Sequence, residues 1–384
     1  MLAVLTAAWG GNHFSPLLLM YRQVDGYSSV AVDAFFACYV LGLIPGFLII
    51  GPRSDRHGRK RLVIAALVLG ILGSVILALG SASPGWMCVG RLVSGVSVAI
   101  AMVVGTSWIK ELSEHDADPP TRARRASLTL TAGFGLGAGI SGALAQWGPA
   151  PTLTPYLVQI VLAVAALPPL LRSPETRARS ATPARSLRAD LRVPAAERGR
   201  FLRVVLPMAP WVFAAPSLSF VVAPALVTAQ IDAGPAFAGL LAAITLYFGA
   251  AVQPFVPHIA RITHGRQGAA GLAAAAAATA VLAVNARVLS PTLVVLDAAL
   301  FGIAYGICLV AGLVEVQKMA DPASLAGLTG IYYSLTYVGF ALPVILASLA
   351  HVAPYDVLLA GVSAVCLTCA LVVVRGVSRP PAVP

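Results

Sequence analysis

Apolar stretches of about 20 residues recur from one end of this chain to the other, and nearly all the charge falls in the breaks between them. A helix of that length crosses the hydrocarbon core of a bilayer. Twelve such stretches stand near 2–22, 28–50, 62–80, 85–110, 126–147, 154–172, 202–229, 235–260, 268–287, 291–316, 324–350 and 354–374. Hydrocarbon offers no partner to a backbone N–H or C=O, so each stretch must satisfy its own groups as a helix. The expected fold is therefore all-α and membrane-integral. With 58% of 384 residues hydrophobic, 11% charged and a mean hydropathy of +0.86, the chain is more apolar than a soluble protein of its size.

The net charge of +11 would suit nucleic acid if it were gathered on one face. It is not. With both termini placed in the cytoplasm, 23 of the 26 Lys and Arg residues fall in cytoplasmic breaks or at their edges, Arg22 and Arg287 fall outside, and Arg91 lies within a span. That asymmetry fixes the expected orientation, a multi-pass protein of the plasma membrane, with lipid head groups as the partners of the loop cations and no nucleic acid. Five cysteines, Cys38, Cys88, Cys308, Cys366 and Cys369, all fall in apolar segments. An odd count with none in the loops predicts no disulfide framework, and the C-x-x-C spacing of Cys366 and Cys369 reads as packing. The first segment lacks a basic leader and carries polar residues mid-span, so it reads as a retained helix.

One break is unlike the rest. Residues 51–62 hold five Lys and Arg, one acid and two glycines in twelve positions, and so short a charged run between two spans must be a tight aqueous turn. Asp55 stands where it can cap the following helix, and Arg59 where it can pair with an acid at the membrane surface. The run resembles the loop between the second and third helices of the major facilitator superfamily, G-x-x-x-D-R-x-G-R-K/R, with Gly51, Asp55, Arg56, Gly58, Arg59 and Lys60 in the matching places. The resemblance implies two pseudo-symmetric six-helix bundles and secondary transport, with this loop steering the change between inward-open and outward-open states. It also implies that Glu111, at the end of the fourth span, meets Arg59.

Islands of sequence recur at one offset: 23–25 at 230–232, 57–59 at 264–266, and Gly95 at Gly302, each 207 residues on. A duplicated six-span unit follows, with residues 1–172 and 201–384 as the halves and 173–200 as a cytoplasmic linker. Asp55 maps onto Ile262, so gating belongs mainly to the first half.

Polar side chains in hydrocarbon are costly and mark function by default. Asn12 and His13 sit near the middle of the first span, and Asp33 a turn into the second. Arg91 and Gly95 match the family's fourth-helix motif R-x-x-x-G, linked to proton coupling, with Ser94 in place of the usual glutamine. Asp297 lies at corresponding depth in the tenth span, and a pair between Arg91 and Asp297 is expected in the inward-open state. Trp211, Gln253, Tyr305, Tyr332, Tyr333 and Tyr337 are candidates to line a cavity. Gly133, Gly137 and Gly142 resemble the fifth-helix antiporter motif, although Ala138 replaces its proline; such small residues also let helices pack closely. His115, Asp116 and Asp118 read as a solvated acidic loop rather than a metal site. No ATP-binding loop, zinc-protease helix or nucleophile elbow occurs, so an enzyme is not expected and no cofactor is called for. The resemblance implies a monomeric, proton-coupled exporter of small apolar or amphipathic compounds akin to drug/proton antiporters, with uptake of a metabolite by symport as the alternative.

Overall fold

The computed structural model describes residues 1–114, 116–176, 193–320 and 325–377, and at 51–57, 119, 120 and 326 it describes the backbone alone. Every regular element among the described residues is helical. Two short helices, α1 (Leu2–Asn12) and α2 (Leu17–Val24), precede α3 (Ser29–His57), α4 (Arg59–Leu79), α5 (Pro84–Leu112), α6 (Pro119–Trp147) and α7 (Thr154–Arg172). Then come α8 (Ala195–Leu226), α9 (Gly234–Ile262), α10 (Gln267–Val288), α11 (Pro291–Met319), α12 (Gly327–Leu349) and α13 (Tyr355–Val377). Eleven of these are long and apolar enough to cross a membrane.

The twelfth expected span, the first in the chain, is divided into α1 and α2 by a turn at 13–16. Pro16 has no N–H to continue the helix, and Ser15 turns its hydroxyl back onto the Asn12 carbonyl (3.0 Å) and the Asn12 side chain (3.1 Å). The seventh span is irregular for the same reason. α8 carries Pro207, Pro210, Pro216 and Pro224, breaks at 209–210, and widens into π turns at Phe201–Val205 and Leu218–Val222. Its buried neighbours take up the freed groups, as when the Ser217 hydroxyl donates to the Ala214 carbonyl (2.8 Å).

The chain divides into two compact units, Met1–Leu187 with Ala233–Ala243, and Arg188–Asp232 with Ile244–Pro384. In the first, α5 packs on α3 and α4, α4 packs on α7, and α1 packs on α6. In the second, α10 packs on both α11 and α13, the same pairing one unit on. The close approaches are also repeated. A Cβ on Gly95 would fall 2.2 Å from the Tyr39 carbonyl oxygen, and one on Gly42 would meet the Leu92 carbonyl oxygen. Their counterparts 207 residues on, Gly302 and Gly249, meet the Thr245 carbonyl oxygen (2.4 Å) and the Tyr305 ring (2.4 Å). Only a residue without a side chain lets two helix backbones come this near.

Two expectations need correction. The charged stretch 51–62 is not a twelve-residue turn: α3 stays helical through His57, α4 starts at Arg59, and Gly58 alone lies between them. Its φ of +81° lets the chain reverse in one residue, and Gly265, at the same offset of 207, has the same φ. Cysteine chemistry also differs. Cys38 of α3 and Cys88 of α5 form a disulfide, because the glycine crossing brings the two helices close enough for their Cα atoms to stand 5.4 Å apart. Cys308, Cys366 and Cys369 are free. Alkylation of the denatured, unreduced chain should therefore label three thiols, rising to five after reduction; five before reduction would contradict the bond.

Candidate functional site

At the end of the helices that the charge pattern assigns to the cytoplasm, the one-residue turn delivers Arg59 into the first unit. Arg59 is 6% exposed, and its Nη2 lies 3.1 Å from Glu111 Oε1 on α5, with Nε at 3.3 Å from the same oxygen. The Thr176 hydroxyl donates to Glu111 Oε2. The backbone of the turn is held from the segment after α7. Glu175 accepts from the Arg59 N–H with Oε1 (2.9 Å) and from the Lys60 N–H with Oε2 (3.0 Å), closing two of the free donors at the start of α4. A Cβ on Gly58 would lie 2.5 Å from Glu175 Oε2, so the site needs glycine for space as well as for φ. Lys60 Nζ donates to the Leu171 carbonyl (2.6 Å), tying α4 to the end of α7.

Farther into the same unit, a polar cluster surrounds the break between α1 and α2. Arg91 of α5 is 1% exposed, and its guanidinium carbon lies 4.5 Å from the Phe14 ring centroid and 4.4 Å from that of Tyr39. Its Nε and Nη1 are buried without a hydrogen-bond partner, as are both ring nitrogens of His13. A charge at mid-bilayer costs about 3 kcal/mol on insertion scales. Two desolvated cation–π contacts of about 2 kcal/mol each are enough to hold it without an acid. The Tyr156 ring stands edge-on to His13 at 5.0 Å, and the Tyr21 and Tyr156 hydroxyls are hydrogen-bonded at 2.5 Å. Ser74 donates to Gln159 Oε1 (2.8 Å), and Ser97 donates to the Ala66 carbonyl (2.6 Å).

The second unit has its own pair of sites. Glu315, with a side chain 5% exposed, receives Arg200 Nη2 at 2.6 Å on Oε2 and Lys318 Nζ at 2.9 Å on Oε1. In its interior Phe213 stacks on Tyr337 (4.0 Å) and lies against Tyr305 and Phe340. Asp297 is 1% exposed, with both carboxyl oxygens lacking a hydrogen-bond partner.

The sequence model of the Major Facilitator Superfamily matches residues 1–344. The chain belongs to that superfamily. The gallate transporter of Pseudomonas putida is 32% identical over 126 residues, which are 32% of this chain and 26% of the relative. The D-xylose transporter of Levilactobacillus brevis is 36% identical over 80 residues, 20% of this chain and 17% of the relative. These alignments span about a quarter or less of the relatives' lengths. Among solved structures, the nucleoside transporter NupG superposes with a TM-score of 0.75 at 12% identity, covering 99% of this chain and 98% of its own, a likeness of fold alone. Family and relatives alike are transporters, not enzymes.

Within that major facilitator fold, the residues singled out by sequence divide by their surroundings. Gly58, Arg59, Lys60 and Glu111 come together as described; the side chains of Asp55 and Arg56 lie outside the described residues, as does His115. Asn12 is engaged within its unit, accepting from Ser15 and donating to the Phe134 carbonyl (3.3 Å). Asp33 is 6% exposed and within Coulombic reach of Arg22. Tyr332 is fully buried, its hydroxyl donating to the Cys308 and Leu309 carbonyls at 3.2 Å each, so it fastens α12 to α11 rather than facing a cavity. Trp211 is buried, and Tyr305 is half-buried beside Phe213.

Gly133 and Gly137 form a seat for α1, where added Cβ atoms would meet the Leu5 and Trp9 carbonyl oxygens; Gly142 lies against Pro235 of the same unit. With Ala138 in place of proline, α6 runs unbroken. In the acidic loop, Asp116 pairs with Arg125 (2.8 Å), and Asp118 caps α6 by accepting from the Thr121 N–H; the Thr121 side chain first, and this N–H after it, hold its carboxyl below the usual range. Among the described residues no three His, Cys, Asp or Glu side chains gather as a metal site.

Sequence reading passed over Glu175, Arg200, Tyr21, Tyr39, Tyr156, Gln159 and Phe213. The run Ser173-Pro174-Glu175-Thr176 after the sixth span was the available signal for the first; the rest carry no local pattern. Replacing Glu175 with Ala removes a helix cap of about 1 kcal/mol. Amide exchange at Arg59 and Lys60 should then quicken by about fivefold, read by hydrogen exchange on the purified chain.

Proposed function

We propose that this chain is a secondary transporter, working by alternating access, that carries a small polar organic solute across the plasma membrane. The observation that carries the reading is the Arg59–Glu111 pair, a nearly buried ion pair joining the α3–α4 turn to α5 in a chain of the major facilitator superfamily. An ion pair confined to one end of a bundle favours the state in which that end is closed, and its loss shifts the balance between states. In the second unit the buried charge contact is a different one, Glu315 with Arg200 and Lys318, since the 207-residue offset carries Arg59 and Glu111 onto Arg266 and Lys318. Residues 1–172 and 201–384 act as the two moving halves, with both termini and the 173–200 linker in the cytoplasm, as the charge asymmetry supports.

Protons are the proposed coupling ion. His13, Asp33 and Asp297 are titratable groups buried within spans, and a gradient is the energy source left to a chain without a nucleotide-binding motif. The polar solutes in the relatives' names, gallate and D-xylose, support uptake by symport over export of apolar compounds. The unbroken α6 supports the same choice, since the proline of the antiporter motif is absent. A monomer is the proposed working unit.

With 24% of the Glu111 side chain exposed, the pair is worth less than a fully buried one, and about 1.4 kcal/mol is roughly tenfold in an equilibrium. Glu111→Gln should therefore lower solute uptake into proteoliposomes by about tenfold or more, with yield and size-exclusion profile unchanged. Radiolabelled gallate and D-xylose serve as solutes, with and without an inside-alkaline pH gradient. Uptake equal to that of the unaltered chain would overturn the lock, and uptake indifferent to the gradient would overturn proton coupling.

A further inference from the structure

Arg91 is the cation that the sequence places farthest from the loops, inside a span rather than at its edge, and among the described residues the first unit gives it no counter-charge. Among the described residues it donates no hydrogen bond and meets no carboxylate. The groups within its Coulombic reach are His13, Tyr21, Tyr39 and Tyr156, none of them an acid. A guanidinium keeps its charge even when buried. The rings of Phe14 and Tyr39 attract the cation, but they offer no lone pair in the plane of the group, and Nε and Nη1 stay without an acceptor. Glu315 and Arg59, the other strongly buried charges of loop ends, are each paired with an opposite charge. Arg91 has been left open, beside the α1–α2 break and near a histidine that is also open at both nitrogens.

We infer that Arg91 is the anchor for a carboxylate of the transported solute, which is a small organic monoacid. This rests on the transport reading above and adds the solute's charge class. A single guanidinium matches a single negative charge; a phosphate or sulfate would call for a second cation, and every other Lys or Arg of that unit stands at or near a span end. The planar N–H donors suit a carboxylate, and the walls of Phe14, Tyr39 and Tyr156 suit an apolar or aromatic body behind it. His13 stands by as a further donor to the acid or acceptor from a hydroxyl on it. At the α1–α2 break the helical ladder gives way to three-residue turns, Ser15 N–H to the Asn12 carbonyl (3.4 Å) and Leu18 N–H to the Ser15 carbonyl (3.5 Å), so this is the segment whose movement would admit the solute. Atoms are neither gained nor lost in the step: the solute exchanges its water shell for the arginine and leaves unchanged.

The test is binding by the full chain in lipid nanodiscs, read by tryptophan fluorescence and by thermal midpoint. The probes are acids paired with their uncharged amides: acetate and acetamide, benzoate and benzamide, 3-phenylpropionate and 3-phenylpropionamide, with sodium chloride and sodium sulfate as inorganic anions. The expected result is saturable binding of at least one acid, at least tenfold weaker binding of its amide, loss of that preference in Arg91→Gln and partial recovery in Arg91→Lys. A purely structural arginine would change the thermal midpoint on substitution but would not set acid against amide in the unaltered chain, so that comparison stands even if Arg91→Gln fails to fold. No saturating acid, equal binding of acid and amide, acid binding untouched by Arg91→Gln, or competition by chloride at equal concentration would each overturn the assignment. Uptake in proteoliposomes separates this from the transport reading. Gradient-driven D-xylose uptake that survives Arg91→Gln, with no acid bound, retires the carboxylate anchor and leaves transport standing. Arg91-dependent acid binding without uptake of any probe does the reverse.

Discussion

Helices in hydrocarbon satisfy their own backbone hydrogen bonds, so what holds two of them together is close contact, and here glycine decides where. Gly42 and Gly95 bring α3 against α5 so closely that any side chain would strike a carbonyl of the other helix. Water cannot drive such helices together from within lipid, so contact area and weak polar contacts must do it. The crossing sets the rest of the first unit. It carries the Cys38–Cys88 bond, it puts Tyr39 over Arg91, and it aims the far end of α5, with Glu111, at the α3–α4 turn. Gly249 and Gly302 do the same work 207 residues later.

What could be read from residue order was what repeats or what is costly. Apolar length gave the helices, because hydrocarbon leaves the backbone no choice. The glycine at 58 and the pair at 95 and 302 were visible because a backbone requirement admits one residue type. Arg91, His13 and Asp297 were visible because a polar atom in lipid needs a reason. The bounds of the turn at 51–62 were not legible, since a charged run suits an aqueous helix end as well as a loop, and α3 continues through it. The division of the first span was not legible, since Ser15 and Pro16 stand in an apolar run whose length alone suits a single helix. The disulfide was invisible for a similar reason: cysteines within spans pair only if a crossing places them side by side, and the crossing is a tertiary fact. Glu175 caps a helix more than a hundred residues earlier in the chain, which no local pattern announces.

Charge in this protein is handled in two ways. At the ends of the helices, Arg59 with Glu111 and Glu315 with Arg200 and Lys318 are paired with opposite charge within their own units, so they lose little by being withdrawn from water. In the interior, Arg91 is held by ring faces instead of an acid, and Asp297 sits among neighbours that do not bond it. The contrast is physical. A neutral pair is inert toward solutes, whereas a lone charge in a dry setting is attractive to whatever complements it.

Gly58 joins α3 to α4 with a single residue. So short a hinge contains no slack. A longer loop would absorb a slide of α3 along its axis; this one must pass it on to Arg59 at once. Lengthening the link by one residue would spin α4 by about a quarter-turn and carry the guanidinium off its carboxylate. Any axial travel of α3 would thus be felt at one contact, as a push on a crank is felt as a turn.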